Sequence, residues 1–303
     1  MSDENEADVS CCCASCGIVE IDDIKLKECD DCDLVKYCSD ECQEDHRSQH
    51  EEACKKRAAE LRDELLFKQP ESSCYGDCPI CSLPMPLGGL KFNMNSCCSK
   101  FICMGCCHAN WRREKEMRLA SSCPFCRKPA PKTYEEGDKR RMARIEANDP
   151  VALRFEGKEQ YKKGKYDQSF EYWTKAAELG DTEAHFYLAC FYRDGEGVEK
   201  DEEEEIHHLE EAAIGGHPTA RYNLGVHELI NGNIERSVKH LIMSATQGYD
   251  ASMKALMKLY KVGFVEKEVL AASLRAHKAS VDATKSPQRD EAEELNSFSG
   301  RIM

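Results

Sequence analysis

Cysteine and histidine are concentrated in the stretch YCSDECQEDHRSQHEEAC, which runs from Tyr37 to Cys54 and has almost no apolar side chains. Cys38 and Cys42 lie one helical turn apart, and so do His50 and Cys54, so each pair would share one face of a helix. Thiolates and an imidazole that face one way are what a tetrahedral zinc site uses. The spacing therefore predicts a helix stabilised by metal coordination rather than by an apolar core.

Two Cys-x2-Cys pairs precede this helix, Cys13 with Cys16 and Cys29 with Cys32. The pairs and the helix together offer eight ligands, enough for two closed four-coordinate zinc ions. The segments CASC, CDDC, YCSDECQ and HEEAC of residues 11–54 resemble the MYND zinc finger. The resemblance implies two interleaved sites. Their ligands would be Cys13, Cys16, Cys38 and Cys42 for one zinc, and Cys29, Cys32, His50 and Cys54 for the other.

Three further residues of this finger bear on its role. Cys12 could take the place of Cys13, although its spacing to Cys16 fits a Cys-x2-Cys turn less well. The family often binds short proline-containing peptides with a Gln and a Trp of the helix, and Gln43 matches that Gln. Arg47 occupies the Trp position. The finger is therefore either a peptide-binding module that uses Gln43 or a rigid spacer with the same zinc core.

A second cysteine cluster follows at residues 74–130, beyond a charged segment at residues 55–73 that is predicted to be a helical connector ending before Pro70. The outer segments CPIC and CPFC around the central SCCSKFICMGCC resemble a RING finger, with Lys100 where that family has a histidine. The resemblance implies two more zinc sites. Their ligands would be Cys78, Cys81, Cys103 and Cys106 for the first site, and Cys97, Cys98, Cys123 and Cys126 for the second. Cys107 and His108 remain alternatives for the ligand missing at the histidine position.

The resemblance to RING fingers implies a possible ubiquitin ligase, which holds a charged conjugating enzyme in a reactive pose and supplies no nucleophile of its own. Ile80 and Pro124 match the positions that contact the conjugating enzyme. Arg127 matches the position whose guanidinium bridges that enzyme and ubiquitin, and Trp111 would add an aromatic contact. The alternative is a non-catalytic zinc-finger adaptor or scaffold.

The region from Asp149 to Lys285 repeats itself every 32 to 36 residues. The segments DPVA, DTEA, HPTA and DASM begin successive units, and AAELGD, AAIGGH and ATQGYD end them. Such a period with two helical stretches per unit predicts a helical solenoid. The segments GEGVEKD and AAIGGHPTARYNLG resemble Sel-one-like repeats, relatives of the tetratricopeptide repeat, and this resemblance implies a surface that binds proteins or peptides.

Composition restricts the location and the partners of the chain. Of its 303 residues 20 are cysteines, and all but Cys190 lie between Cys11 and Cys126. The polar, acidic N-terminus is not a signal peptide, so we expect an intracellular protein, cytoplasmic or nuclear, whose dense cysteines bind metal rather than form disulfides. No apolar run is long enough to cross a membrane. The net charge of −14 argues against a nucleic-acid partner.

The predicted fold class is a multidomain protein with two small cross-braced zinc fingers, little regular structure in them, and an all-α helical-repeat solenoid. An acidic disordered tail is expected at residues 1–10, a linker at residues 131–148 and a second disordered tail at residues 286–303. No phosphate-binding loop, catalytic triad or methyltransferase motif is present. The predicted cofactor is zinc, two ions in the first finger and two in the second, and the predicted partners are proteins or peptides, with a ubiquitin-conjugating enzyme among the possibilities.

Overall fold

The structure is a computed structural model that describes residues 12–88 and 91–299. The chain divides into two compact units, residues 1–68 and residues 69–303. The predicted acidic tail at residues 1–10 and the thiol of Cys11 lie outside the described residues, as do the last four residues of the chain.

The first unit is built around one long helix and a short hairpin. Strand β1 (Lys27–Glu28) pairs antiparallel with β2 (Lys36–Tyr37), and α1 follows at Asp40–Leu66. The Ser39 hydroxyl caps α1 by accepting a hydrogen bond from the Cys42 backbone N–H at 3.2 Å. The helix continues through most of the predicted connector and ends at Leu66.

The buried core of this unit consists mainly of sulfur-bearing side chains. Cys13, Cys29 and Cys32 are buried together with Tyr37, and the partly buried Cys38, Cys42 and Cys54 pack around them. Within α1 only His50 and Leu66 are buried. This core is too small to stabilise a 27-residue helix by apolar burial alone. Metal coordination by the thiols has to supply the remaining stability.

The second unit begins with a compact finger. Strand β3 (Phe92–Asn95) pairs antiparallel with β4 (Lys100–Cys103), and α2 runs over Met104–Glu116. Its core contains Met85 and Ile102 together with three buried cysteines, and Phe92 and Phe101 pack against it. This finger has a larger apolar component than the first unit.

A helical solenoid follows in the same unit. Its elements are α3 (Tyr134–Glu146), α4 (Pro150–Lys162), α5 (Tyr166–Glu178), α6 (Thr182–Asp194), α7 (Glu202–Ile214), α8 (Pro218–Ile230), α9 (Ile234–Thr246), α10 (Asp250–Lys261), α11 (Lys267–Ala283) and α12 (Pro287–Ser299). The predicted helix starts are capped as expected at three repeats. Asp149, Asp181 and His217 each accept a hydrogen bond from the backbone N–H three residues on, at 2.9–3.1 Å.

Close contacts between paired helices recur at equivalent places in two repeats. The Ser169 hydroxyl donates to the Gly157 carbonyl at 2.9 Å, which ties α5 to α4, and the Ser237 hydroxyl donates to the Gly225 carbonyl at 2.6 Å, which ties α9 to α8. Both serines are completely buried. A glycine at each crossing lets the two helices approach more closely than a side chain would permit.

Two segments differ from the sequence-based prediction. The predicted linker at residues 131–148 contains α3, whose Ile145 joins the first solenoid core. The predicted disordered tail from residue 286 is wrong for Pro287–Ser299, which form α12. Ala292 and Arg289 of α12 are buried, so contacts with distant parts of the chain hold a helix whose polar sequence alone suggested disorder.

The finger of the second unit is packed directly on the solenoid. The Phe101 ring lies 6.0 Å from the ring of Phe155 on α4, and the Arg154 guanidinium lies 5.3 Å above Phe101. The Cys74 backbone N–H donates to the Gly216 carbonyl at 3.1 Å. The finger and the repeats therefore form one structural body. Within the described residues no helix is long and apolar enough to cross a membrane.

Candidate metal centres

Fifteen cysteines and one histidine of the two fingers gather into four groups of four. In each group the ligand atoms all lie within 4.8 Å of one another. The groups are Cys13, Cys16, Cys38 and Cys42; Cys29, Cys32, His50 and Cys54; Cys78, Cys81, Cys103 and Cys106; and Cys97, Cys98, Cys123 and Cys126. The structure thus brings together the same sixteen residues that the sequence nominated, in the same four sets.

Distances within the groups suit shared coordination and exclude disulfides. The sulfur atoms of Cys16 and Cys38 are 3.5 Å apart, and those of Cys81 and Cys103 are 3.8 Å apart. A disulfide would bring the sulfurs to about 2.05 Å. Two thiolates bound to one tetrahedral zinc at about 2.3 Å stand about 3.8 Å apart. Three groups of four thiols and one group of three thiols with an imidazole therefore fit zinc in both chemistry and spacing.

Helix α1 positions three of the ligands of the first finger, and Cys38 lies just before Ser39, the residue that caps the helix. Cys42 lies in its first turn, and His50 and Cys54 lie one turn apart further along. The His50 Nε2 atom approaches the Cys32 sulfur at 3.1 Å. His46 is not part of either group, because its Nδ1 atom pairs with the Tyr37 hydroxyl at 3.1 Å.

Three of the Cys-x2-Cys segments share one turn, which the sequence does not reveal. In each, the N–H of the first cysteine donates to a carbonyl five residues on, and the carbonyl of the first cysteine accepts from the N–H four residues on. The residue after the second cysteine then has a positive φ, 75° at Gly17, 54° at Ser82 and 61° at Arg127. This backbone conformation favours glycine, and at Ser82 and Arg127 it is held by the hydrogen bond that each backbone N–H donates within the turn.

Backbone donors favour the thiolate form at one cysteine in three of the groups. Burial alone would raise the pKa of Cys13, but N–H groups of the turn and Cys38 donate to its sulfur and lower the pKa to about 6. Burial likewise raises the pKa of Cys78 and of Cys126, but hydrogen bonds to each sulfur outweigh it and lower both pKa values to about 7. Since the thiolate is the metal ligand, each of these three groups holds one sulfur ready to bind near neutral pH.

The second finger places Cys97, not its alternatives, in the group that lacks the usual histidine. The Cys97 sulfur lies 3.4 Å from the Cys126 sulfur, and the neighbouring Cys98 sulfur lies 3.9 Å from that of Cys123. Cys107 instead donates to the Ile102 carbonyl. The His108 ring packs against Trp111 with the ring centres 5.5 Å apart.

Glu114 is a buried residue of this finger that the sequence analysis missed. Its carboxylate accepts hydrogen bonds from the Ser122 backbone N–H at 3.0 Å, the Ser122 hydroxyl at 2.7 Å and the Asn110 side chain at 2.9 Å. Burial opposes ionisation, but these donors outweigh it and lower the pKa of Glu114. The carboxylate therefore links the end of α2 to the turn of Cys123, and no sequence motif marks it.

The other nominated residues lie on the surfaces of the fingers. Gln43 lines a groove of about 670 Å³ beside the His50 group, together with Arg47. Ile80 is 43% exposed, Pro124 is partly exposed, and Arg127 is exposed with its guanidinium donating to the Asn110 side-chain oxygen at 2.8 Å. Trp111 is 52% exposed on α2.

Comparison with known families agrees with two of the three modules. A model described as the MYND finger matches residues 13–54, and a model described as the Sel1 repeat matches residues 152–181, 182–217 and 218–249. The chain carries a MYND zinc finger and three Sel1 repeats. The matched residues do not include the RING-like finger at 74–130. No curated protein matches the chain.

Solved structures of Sel1 repeat proteins also resemble the chain. A Sel1 repeat protein from Oxalobacter formigenes is 23% identical, with 66% of this chain and 87% of that chain covered and a TM-score of 0.43. The protective antigen c5321 of uropathogenic Escherichia coli strains, which displays an SLR fold, is 19% identical, with 55% and 48% covered and a TM-score of 0.32.

These findings establish the general nature of the molecule. The MYND finger and the Cys/His groups indicate a zinc-binding protein. MYND fingers and Sel1 repeats are protein-interaction modules, and the chain combines both. The protein is therefore a zinc-binding protein with the make-up of an interaction adaptor.

Proposed function

We propose that the protein is an adaptor that binds four zinc ions, two in the MYND finger and two in the RING-like finger, and recruits protein partners through the MYND finger and the Sel1 repeats. The observation that carries the proposal is the grouping of sixteen soft donors into four sets of four, beside two interaction modules. The metal ions would act on shape alone, because closed four-ligand sites leave no position open for substrate.

The groove beside the His50 group is the proposed peptide site of the MYND finger. Gln43 lies in the groove and donates to an Asp30 side-chain oxygen at 3.5 Å, a long bond that an incoming peptide carbonyl could replace. Arg47 lines the same groove and pairs with Glu44 at 3.1 Å. A peptide carbonyl would accept from the Gln43 amide, and a proline would pack beside the helix.

Fluorescence polarisation with a library of proline-containing peptides tests this site on the zinc-loaded full chain. Gln43→Ala should weaken binding by at least tenfold, since it removes a hydrogen-bond donor that lines the groove. Gln49→Ala is the matched control, because Gln49 is an exposed amide of the same helix outside the groove. Equal binding by Gln43→Ala and the wild type, or no binding by any peptide, would leave the finger as a rigid spacer.

A second candidate function is ubiquitin ligation by the RING-like finger. The exposure of Ile80 and Trp111 favours it, because both side chains are accessible at positions where the resemblance to RING fingers expects contact with a conjugating enzyme. Arg127 would supply the bridging guanidinium. Its hydrogen bond to Asn110 would hold the guanidinium in place before a partner arrives.

Discharge of ubiquitin from a panel of charged conjugating enzymes tests this second function. If the full chain is a ligase, it should accelerate discharge, and Arg127→Ala should abolish most of the acceleration. Arg113→Ala is the matched control, since Arg113 is an exposed arginine of α2 in the same finger. No acceleration by fully zinc-loaded protein would leave the adaptor function alone.

A further inference from the structure

The C-terminal helix α12 lies against the RING-like finger, although more than 150 residues of solenoid separate the two in sequence. Its Glu291 pairs with Arg112 of α2, and its Glu293 pairs with Lys91 at 2.7 Å. Ala292 is buried at this contact. Helix α12 therefore packs on the finger near the group of Cys78, Cys81, Cys103 and Cys106.

Arg289 is the residue of α12 that reaches this cysteine group. Its side chain donates to the Pro84 carbonyl at 2.6 Å and to the Leu83 carbonyl at 3.1 Å, both in the turn that follows the CPIC segment. The same guanidinium donates to the Cys81 sulfur at 3.5 Å. The guanidinium of Arg289 therefore contacts both the backbone of this turn and the sulfur of Cys81, one of the proposed metal ligands.

The charge of Arg289 has no carboxylate partner among the described residues. Arg289 is only 8% exposed, and its guanidinium donates hydrogen bonds to three carbonyl oxygens and one sulfur. A buried guanidinium is costly unless a negative charge lies beside it. Four thiolates around one zinc carry a net charge of −2, so the loaded site would provide that counter-charge where four neutral thiols would not.

The backbones of α2 and α12 meet at Gly105. A Cβ atom there would lie 2.9 Å from the Arg289 backbone nitrogen and 3.0 Å from the Gln288 carbonyl carbon. Such a close approach is possible only because α2 has a glycine at its second position. It fixes α12 directly over the first turn of α2, where Cys106 lies next to the glycine.

We propose that Arg289 is a positioning residue for the zinc site of Cys78, Cys81, Cys103 and Cys106, and that α12 is a lid whose docking and metal retention are coupled. The guanidinium donates a hydrogen bond to a zinc-bound thiolate and fixes the turn that carries it. The loaded site in turn neutralises the buried charge that anchors α12. This coupling rests on zinc occupying the site, and it does not depend on whether the protein is an adaptor or a ligase.

Cadmium-113 NMR of the full chain loaded with ¹¹³Cd²⁺ tests the hydrogen bond itself, and Arg289→Met is the variant. We expect only one of the all-sulfur resonances to shift, because a donor N–H changes the electron density of the thiolate it touches. Arg275→Met is the matched control, since Arg275 is exposed on α11. A spectrum of Arg289→Met identical to the wild type would overturn the proposal, whatever its effect on stability.

Zinc transfer to a colorimetric chelator tests the lid. Loss of an outer-sphere partner commonly weakens metal binding by about 10- to 100-fold, so one of the four zinc ions should leave Arg289→Met at least tenfold faster than it leaves the wild type. Arg289→Lys keeps the charge but loses the fork and should fall between the two. Unchanged release kinetics in Arg289→Met would contradict the coupling.

Gly105→Ala probes the lid without altering the arginine or any ligand. The new methyl group should displace α12 and accelerate release of the same zinc ion, and combining it with Arg289→Met should add little further effect. Gly137→Ala is the matched control, because a Cβ at that helical glycine would meet only Pro131 at 3.8 Å. If Gly105→Ala released zinc at the wild-type rate, α12 would not act as a lid.

Discussion

At the scale of single residues, Arg154 shows how the finger is fixed to the repeats. The side chain is 5% exposed and pairs with Asp181 at 2.8 Å and with Glu183 at 2.8 Å. On its other side it lies over the ring of Phe101, a finger residue. Burial raises the pKa of Asp181 above its ordinary value, and the charge and hydrogen bond of Arg154 oppose that rise.

Arg154→Met should therefore destabilise the second unit strongly. Removing one partner of a buried ion pair leaves uncompensated carboxylates and typically costs about 3–5 kcal/mol in the free energy of unfolding. Urea unfolding of the zinc-loaded chain, followed by circular dichroism, measures the loss. The control is Arg193→Met, because the Arg193–Asp194 pair is almost half exposed and should contribute less than about 1 kcal/mol. Equal losses in the two variants would contradict this account of Arg154.

Residue spacing predicts the metal ligands but not the residues that pack around them. The cysteine and histidine ligands can be recognised from the sequence, because few structures other than metal sites combine Cys-x2-Cys pairs with thiol and imidazole side chains one helical turn apart. Glu114 and Arg289 are ordinary charged residues in sequence, and their roles depend on burial and on partners far along the chain. The choice of Cys97 over Cys107 likewise required coordinates, because the sequence offers thiol and imidazole candidates on both sides of Cys103 and does not decide between them.

At the scale of helices, Gly157 permits the closest contact between α4 and α5. A Cβ at this position would lie 2.5 Å from two atoms of the Trp173 indole ring. That ring cannot move freely, because its N–H donates to the Arg154 carbonyl at 3.1 Å and its face stacks on Tyr187 with the ring centres 4.6 Å apart. The equivalent Gly225 faces side-chain atoms of Leu241 at 3.0 Å, so a Cβ there would require a shift of only a few tenths of an ångström.

Gly157→Ala should destabilise the solenoid by about 1–3 kcal/mol, even though alanine is the better helix former by up to about 1 kcal/mol. Gly225→Ala should cost less, since a leucine side chain can yield where the fixed indole cannot. Thermal or urea unfolding of the two variants compares them directly. A larger loss in Gly225→Ala than in Gly157→Ala would show that the packing around Trp173 is not the restraint we describe.

Helical periodicity predicted the repeats well because the units repeat their apolar positions and three of them repeat a helix cap, whereas Asp250 lies inside α10 and does not cap it. Asp149, Asp181 and His217 act as helix caps as their sequence positions indicated. The helix α12 escaped prediction because its sequence is mainly polar and its few buried positions pack on the finger rather than on a neighbouring repeat. The local sequence predicts such a helix poorly, since its buried residues contact parts of the chain that are far away in sequence.

At the scale of the whole molecule, the two units should respond differently to loss of metal. The buried cluster of the first unit contains three thiols and one tyrosine, whereas the described solenoid has apolar clusters that contain no proposed ligand. Removing zinc with a strong chelator should therefore expose the amides of residues 12–66 to hydrogen exchange and leave those of α5 to α10 protected. Retained protection of residues 12–66 after complete zinc removal would contradict the metal-stabilised fold.

The central claim is that sixteen residues hold four zinc ions, and native mass spectrometry of the protein purified with excess zinc tests it most directly. The account predicts a mass corresponding to four zinc ions per chain, falling to three in Cys98→Ser, whose sulfur belongs to the group without the usual histidine. A wild-type chain that holds only two ions, or a Cys98→Ser chain that still holds four, would contradict it.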